Sequence, residues 1–211
     1  MKIHPIIIAV EGIDGAGKST QIPRIAQWFR EHGQRVSLSC EPTHGPIGMK
    51  IRTAEVRWPP DVERQLFVDD RKEHIETCLK PALDRGEIAI TDRYFYSSIA
   101  YQGTRLDAFD HTPTQRELED LQDQIYQQHL TFAPEADILI YIRLAVDVAL
   151  ERMKSSREGL DPFENRQNLE RVAHAFERII TRHPCPITAD ASLPPDQVTA
   201  RIWEQLDALF G

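Results

Sequence analysis

The chain has 211 residues and a mass of 24.2 kDa, a length that favours one elaborated domain over two. Its 25 lysines and arginines stand against 33 aspartates and glutamates, so the formal net charge is −8, which argues against a protein that coats nucleic acid or an anionic membrane. Hydrophobic residues make up 41% of the chain, which is enough for a packed core and excludes disorder over most of its length.

The order of apolar and polar segments predicts alternating strands and helices. In the first half of the chain, the patterns predict strands at residues 6–10, 36–39 and 88–90, and helices at 18–32, 62–83 (broken near Pro81) and 94–101. In the second half, they predict strands at residues 138–142 and 186–188, and helices at 114–130, around 148–153, at 169–180 and at 197–210. Alternation with roughly five strands predicts a parallel, three-layer α/β domain that binds ligands beyond the carboxyl ends of its strands.

Neither a membrane segment nor a disulfide framework is predicted. The longest apolar run, residues 6–10, is far shorter than the roughly 20 residues of a membrane-spanning helix, and it leads into a glycine-rich turn rather than a cleavage site. Cys40, Cys78 and Cys185 are an odd set without a CxxC pair. We therefore expect a cytoplasmic protein with reduced thiols and no membrane partner.

A phosphate-binding loop follows the first predicted strand. Residues 12–19 read Gly12-Ile13-Asp14-Gly15-Ala16-Gly17-Lys18-Ser19 and match the pattern GxxxxGK[ST] between a strand and a helix. In such a loop, backbone N–H groups and the positive end of the helix face a polyphosphate, the lysine reaches its β and γ oxygens, and the serine ligates Mg²⁺. Because no guanine-reading NKxD motif occurs in the chain, we expect the nucleotide to be ATP.

Six sequence blocks follow one another in a distinctive order and spacing. They are residues 11–20, Glu41-Pro42 with Ile47-Gly48 and Ile51-Arg52, Leu66-Phe67 with Asp70-Arg71, Asp92-Arg93-Tyr94, Ser97-Ser98 with residues 100–103, and residues 161–164. In these blocks the chain resembles thymidylate kinases over nearly its whole length. The resemblance implies a P-loop NTPase fold with a five-stranded parallel sheet flanked by helices, in one domain of residues 1–211. It also implies ATP- and Mg²⁺-dependent phosphorylation of dTMP to dTDP by a homodimer.

Several residues are candidates for binding the acceptor nucleoside. Phe67 and Arg71 are four residues apart and share a helical face, so the ring can stack on a base while the guanidinium donates to a base carbonyl. The resemblance implies that this pair holds thymine, that Ser98 and Gln102 contact the base edge, and that Tyr101 lies near the sugar, where it disfavours a 2′-hydroxyl. Packing in the core is the alternative for both Phe67 and Tyr101.

Charged candidates surround the expected phosphates. The resemblance assigns Arg52 and Arg93 to the acceptor phosphate, and it assigns Asp14 and Glu41 to the sugar 3′-hydroxyl and the water shell of the metal. Asp92 follows the strand at 88–90, where its carboxylate either contacts Mg²⁺ through water or hydrogen-bonds to the P-loop. Nucleotide-binding residues predicted for the loop are Gly12, Gly15, Ala16, Gly17, Lys18, Ser19 and Thr20.

A polar segment in the second half is predicted to form a lid at about residues 152–164. Transfer between two phosphates needs no general base, because the attacking oxygen is already ionised, so catalysis is alignment and charge neutralisation. Arg152, Lys154 and Arg157 suit that neutralisation, and a solvated basic loop is the alternative. With Lys18, Arg93 and Asp14, the two arginines of the lid complete the predicted catalytic set.

Three positions depart from the pattern of the resembled family. Pro162 and Cys40 stand where an arginine is frequent, and Arg143 stands where an aspartate is usual. Alternatives to dTMP phosphorylation are a kinase for another pyrimidine monophosphate and a nucleotide-binding module without turnover. In each case the expected partners are small nucleotides rather than nucleic acid.

Overall fold

The structure is a computed structural model that describes residues 3–156 and 165–211. Five strands are present in these ranges: β1 (Ile7–Glu11), β2 (Val36–Cys40), β3 (Ile88–Asp92), β4 (Ile138–Arg143) and β5 (Pro186–Asp190). The helices are α1 (Lys18–Glu31), α2 (Pro46–Arg52), α3 (Pro60–His74), α4 (Lys80–Asp84), α5 (Phe95–Tyr101), α6 (Gln115–Leu130), α7 (Val146–Ser156), α8 (Arg166–Arg182) and α9 (Pro195–Phe210).

The strands form one parallel sheet in the order β2-β3-β1-β4-β5. Every residue of β1 is buried, as expected for a central strand covered by helices on both faces. Because β1 lies between β3 and β4, the chain leaves its carboxyl end at the point where the strand order reverses, which is where such sheets bind ligands. The predicted α/β fold with a five-stranded parallel sheet flanked by helices is confirmed.

Two helical features differ from the expectations. The segment predicted as a helix broken near Pro81 is instead continuously helical, because a π-helical turn at Ile75–Leu79 joins α3 to α4. Since Pro81 has no N–H to donate, a wider turn in front of it accommodates the ring without ending the helix. The short helix α2 was not predicted at all, since it has only seven residues and contains Gly48, too few for a helical period to be recognised.

The remaining predicted elements match the structure to within a few residues. Helix α6 begins after Thr114, whose hydroxyl accepts from the backbone N–H of Glu117 while the Glu117 carboxylate accepts from the N–H of Thr114. This reciprocal capping fixes where α6 starts, and therefore the height at which its buried face meets α5. No helix within residues 3–156 and 165–211 combines the length and apolar character needed to cross a membrane.

Candidate active site

The P-loop connects β1 to α1 as the motif predicts. A Cβ atom on Gly12 would lie 2.6 Å from the carbonyl oxygen of Ile142, so β4 approaches too closely for any other residue there. Gly17, the residue before α1, has a φ of 91°, which favours glycine on backbone grounds alone. The loop therefore leads directly into the first turn of α1. In such loops, the backbone N–H groups of the loop and of this first turn bind phosphate.

Lys18 lies against this loop. Its Nζ donates to the carbonyl oxygens of Gly12 at 3.0 Å and Ile13 at 3.3 Å, and the residue is only 7% exposed. Burial, together with the nearby positive charge of Arg93, lowers the pKa of Lys18 to about 8, although Asp14 and other carboxylates act in the opposite direction. Ser19 and Thr20 follow it as exposed residues at the start of α1, and Ala16 is buried.

Arg93 joins the P-loop to the turn after β3. Its guanidinium donates to the carbonyl of Gly12 at 3.3 Å, to Ser97 Oγ at 3.0 Å and to Asp14 Oδ1 at 2.6 Å. The backbone of Arg93 has a φ of 68°, a left-handed conformation that is uncommon for residues other than glycine and concentrates at functional sites. The strained turn brings this cation back over the loop that binds phosphate.

Asp14 is the carboxylate at this junction. It accepts from Arg93 and, at 3.2 Å, from the hydroxyl of Tyr101. Burial alone would raise the pKa of Asp14, but the charges of Arg93 and Lys18 outweigh that effect and lower the pKa to about 2. Asp14 is therefore ionised at neutral pH.

A cavity of about 430 Å³ opens beside Arg93. Its wall includes six residues that the sequence analysis selected for acceptor binding: Asp14, Arg52, Phe67, Arg93, Tyr101 and Gln102. The guanidinium of Arg93 also lies 5.1 Å from the centre of the Tyr101 ring. Residues from the P-loop, α2, α3 and α5 thus converge on one cavity, although they are far apart in the sequence.

Arg71, Glu41 and Ser98, which were also predicted to bind the acceptor, are not among the residues that line the cavity and form a buried cluster instead. Arg71 is 1% exposed, and its Nε and Nη2 donate to Glu41 Oε2 at 2.9 and 2.5 Å, while Nη1 donates to Ser98 Oγ at 3.2 Å. Glu41 also contacts His74 Nδ1 through Oε1 at 2.8 Å. Burial tends to raise the pKa of Glu41, but Arg71 and His74 lower it overall, so Arg71 is held by a carboxylate.

Arg52 and Asp92 lie at the carboxyl ends of β2 and β3. Arg52 donates from Nε to the carbonyl of Pro42 at 2.9 Å and from Nη2 to Cys40 Sγ at 3.2 Å. Asp92 pairs in register with Val10 of β1 and Cys40 of β2, and its Oδ1 is buried with no hydrogen-bond partner in the described residues. An unpartnered carboxylate oxygen beside the P-loop suits a hydrated cation.

Comparison with known proteins identifies the family. The sequence model of the family "Thymidylate kinase" matches residues 10–202. A thymidylate kinase of Xanthomonas oryzae pv. oryzae is 39% identical over 200 residues, covering 94% of this chain and 81% of the relative. A probable thymidylate kinase of Archaeoglobus fulgidus is 33% identical over 206 residues, covering 97% and 96%.

The chain belongs to the thymidylate kinase family. Membership of this family makes the protein a nucleotide-binding phosphotransferase. This activity agrees with the P-loop and with the cavity beside Arg93.

Helix α7 places two of the predicted lid residues. Arg152 donates from Nη1 to the carbonyl of Gly15 at 3.3 Å and from Nη2 to the carbonyl of Ala191 at 2.8 Å, so it bridges the P-loop and the segment after β5. Lys154 is exposed near the end of α7. Arg157 and residues 161–164, which complete the predicted lid, lie outside the described residues. The departure at Arg143 is accommodated by an ion pair with Glu177 of α8, whose carboxylate accepts from Arg143 Nε at 2.6 Å.

Several residues of the site were not selected from the sequence. Glu11 is 1% exposed and accepts from the backbone N–H groups of Tyr94 and Ser97 at 2.8 and 3.2 Å and from Ser97 Oγ at 2.6 Å. Burial raises its pKa to about 7 despite the charge of Arg93. A glutamate that ends an otherwise apolar strand was the available signal, since a buried carboxylate needs several donors.

Glu63 is a second buried carboxylate of the site that was not selected from the sequence. Its carboxylate accepts from Arg57 Nε and from Arg105 Nη1, both at 2.9 Å, and from Gln102 Nε2 at 3.2 Å. Because a carboxylate only accepts, the amide nitrogen of Gln102 must face Glu63. The amide oxygen Oε1 of Gln102 is buried and has no hydrogen-bond partner in the described residues, so Gln102 offers an acceptor at the cavity.

Proposed function

We propose that the protein transfers the γ-phosphoryl group of ATP to dTMP, giving dTDP and ADP. The observation that carries the proposal is the shared position of Asp14 and Arg93, which belong both to the surroundings of the P-loop and to the wall of the neighbouring cavity. A nucleotide acceptor in that cavity has its phosphate next to the donor polyphosphate. The names of the family and of its relatives supply the identity of the acceptor.

The mechanism follows from charge and alignment. An oxygen of the dTMP phosphate attacks the γ-phosphorus of ATP, and the bond from that phosphorus to the bridging oxygen breaks, leaving its electron pair on ADP. The attacking oxygen is already ionised, so no side chain has to remove a proton. Lys18 and Arg93 neutralise the phosphates on the two sides of the transferred group, and Arg52 holds the acceptor phosphate.

Residues on the acceptor side orient the nucleoside. Phe67 stacks on the base, Arg71 donates to a base carbonyl, and Gln102 offers its free Oε1 to a base N–H. Ser98 supports Arg71, and Tyr101 packs against the sugar. Stacking contributes about 1–3 kcal/mol per base, so the cavity gives affinity as well as position.

We assign Mg²⁺ to Ser19, as a direct ligand, and to Asp92, through water. In the described part of the chain no three His, Cys, Asp or Glu side chains are grouped to hold a metal ion, and Mg²⁺ in kinases is held mainly by substrate phosphates and water with few protein ligands. The unpartnered Oδ1 of Asp92 fits that outer position. When bound, the ion would offset the negative charge of the donor phosphates.

The decisive experiment is an acceptor panel. ADP release is measured for the wild-type protein with ATP and each of dTMP, dUMP, UMP, CMP and dCMP, and we expect the highest kcat/KM for dTMP. Faster turnover of another monophosphate would give the acceptor a different identity. No transfer to any monophosphate, with nucleotide binding retained, would leave a binding module.

Lys18→Met tests whether the P-loop lysine is needed for phosphoryl transfer. Removing the ammonium from the P-loop should lower kcat/KM at least about 100-fold, as for loss of a preorganised charge-stabilising group, while circular dichroism stays that of a folded protein. Lys80→Met is the control, because Lys80 is exposed and lies outside the P-loop and the cavity, where it pairs with Glu76 one helical turn away. Equal activity of the two variants would exclude a role for Lys18 in transfer.

We further propose a cytoplasmic homodimer that binds no nucleic acid. Val62, in the first turn of α3, is 39% exposed, and an exposed apolar side chain of this kind suits a surface that a second copy covers. Residues 1–211 are proposed to form a single domain with the lid at about 152–164. Sedimentation velocity at micromolar protein tests the assembly, and a monomer under those conditions would contradict it.

A further inference from the structure

One buried histidine of the site has no role in the function proposed above. His129 lies on α6 and is 0% exposed, and its ring is packed between Phe95, at 5.6 Å between ring centres, and Phe132, at 5.5 Å. His129 nonetheless makes a direct, short contact through Nε2 to Arg71 Nη1.

Its hydrogen bonds fix which ring nitrogen carries the proton. Nδ1 lies 2.8 Å from the carbonyl oxygen of Ile125, one helical turn earlier, and a carbonyl only accepts. Nδ1 therefore donates, and Nε2 is the acceptor for Arg71. Burial and the charge of Arg71 lower the pKa of His129 to about 3, so the ring stays neutral and keeps this acceptor.

The contact changes the number of donors that Arg71 has left. A guanidinium carries five N–H groups. Two of those of Arg71 point to Glu41, one to Ser98 and one to His129. One N–H, on Nη2, is without a partner among the described residues.

Arg71 is not among the residues that line the cavity, but residues one helical turn from Arg71 and from Ser98 are. Phe67, one turn from Arg71 on α3, lines the cavity, and so does Gln102, one turn after Ser98 on α5. Arginine only donates, so the base atom that it meets must be an acceptor. The thymine C4 carbonyl is an acceptor, whereas the amino group of a cytosine at the same position is a donor.

We propose that His129 is a positioning residue for recognition of the acceptor base, because it holds the guanidinium of Arg71 so that one N–H faces a single base carbonyl. The inference rests on the proposed function, since it assumes that Arg71 meets the base. It adds to that function a further residue that, with Glu41 and Ser98, fixes the orientation of Arg71, and this residue lies on α6, outside the residues that line the cavity.

The test compares His129→Leu, His129→Gln and His129→Asn. Leucine removes the acceptor, glutamine can place its carbonyl oxygen near the position of Nε2, and asparagine is too short to do so. The dissociation constants of dTMP and 5-methyl-dCMP are measured by calorimetry, since 5-methyl-dCMP has an amino group in place of the C4 carbonyl of thymine and an N3 that accepts where the N3–H of thymine donates. KM for ATP and kcat at saturating dTMP are measured alongside them.

We expect Leu and Asn to raise the dTMP dissociation constant about tenfold, the scale of one hydrogen bond to a charged group. The same variants should change 5-methyl-dCMP binding and the KM for ATP by less than about threefold, and Gln should restore most of the dTMP affinity. His183→Leu is the matched control, because His183 is also buried and is hydrogen-bonded to the backbone of Ala136 and Cys185, away from Arg71.

Three results would overturn the inference. They are unchanged dTMP binding in Leu and Asn, equal losses for dTMP and 5-methyl-dCMP, or Gln behaving like Asn. If Leu fails to fold, the comparison of Gln with Asn decides by itself. Failure of the proposed function is a separate outcome, because it appears in the wild-type protein as no transfer to dTMP.

Discussion

Arg93 and Asp14 meet through a 2.6 Å hydrogen bond between Nη2 and Oδ1, which ties the turn after β3 to the P-loop. The same guanidinium also donates to Gly12 and Ser97. The cation is therefore oriented by the fold itself, and little reorganisation is needed when charge develops between two phosphates.

Arg93→Lys should lower kcat about 100-fold, because a lysine ammonium is a compact point charge that does not reproduce three contacts in the plane of a guanidinium. The KM for ATP should change by less than threefold. Steady-state kinetics with both substrates measures this split. Arg85→Lys, in an exposed pair with Glu87, serves as the control, and a lysine variant with wild-type kcat would show that charge alone is sufficient.

Arg71→Ala should weaken both dTMP binding and folding. It leaves Glu41, which is 4% exposed, without its arginine, and breaking a buried ion pair costs about 3–5 kcal/mol of unfolding free energy. Adding Glu41→Gln should restore a large part of that stability but none of the affinity. Urea unfolding and dTMP calorimetry on the single and double variants separate the two effects, and recovery of both in the double variant would mean that Arg71 does not contact the base.

Activity should fall at alkaline pH because Lys18 loses its proton. With a pKa of about 8, kcat/KM for ATP in the free enzyme should drop about tenfold between pH 7 and pH 9, a range in which the ATP phosphates are already ionised. The dTMP dissociation constant is the control, because the pKa of Arg93, which is assigned to the acceptor phosphate, is raised despite burial by the neighbouring carboxylates and the guanidinium stays charged throughout. A flat ATP profile to pH 9 would contradict the prediction.

The free energy of unfolding should rise with pH as Lys18 loses its proton, whereas activity falls. In the unfolded chain Lys18 has its ordinary pKa of 10.5, against about 8 when folded, so between these values the unfolded state binds more protons. The contribution of Lys18 to the unfolding free energy therefore rises with pH across this window. Thermal melting at pH 7 and pH 9 shows whether lost activity is separate from unfolding.

Tyr101 should set the preference for a deoxyribose through its ring. Tyr101→Ala should lower the ratio of kcat/KM for dTMP over 5-methyl-UMP about tenfold, a size typical of shape discrimination by packing. Tyr101→Phe keeps the ring and loses the hydrogen bonds of the hydroxyl to Asp14 and Arg93, so the ratio should hold. Equal losses in Phe and Ala would assign the discrimination to the hydroxyl instead.

The phosphate loop and the sheet could be predicted because their signals are local. Gly12 and Gly17 stand where close packing or positive φ excludes other residues, and Lys18 follows them in a fixed register. The alternation of buried strands with amphipathic helices then determines the layers. Short α2 and the π-helical turn before Pro81 carry no comparable period and were missed or misread.

The partners of Arg71 could not be predicted, because they depend on contacts between distant segments. Glu41 is 30 residues away and His129 is 58 residues away. In the sequence, His129 is one polar residue at the end of an acidic helix, and its burial follows only from how α6 packs against α5. The same holds for Glu63, because its donors Gln102 and Arg105 are 39 and 42 residues away.

Glu11 is a buried carboxylate at the end of the central strand β1, and burying it costs free energy of folding. Its carboxylate is buried beside Val10 and Ala9 and orders the turn that carries Arg93. An apolar replacement would suit the strand better and yet release the N–H groups of Tyr94 and Ser97. Attempts to make a more heat-stable form should therefore change the outer helices and leave β1 unchanged. The buried carboxylate of Glu11 costs stability, but the active site requires it.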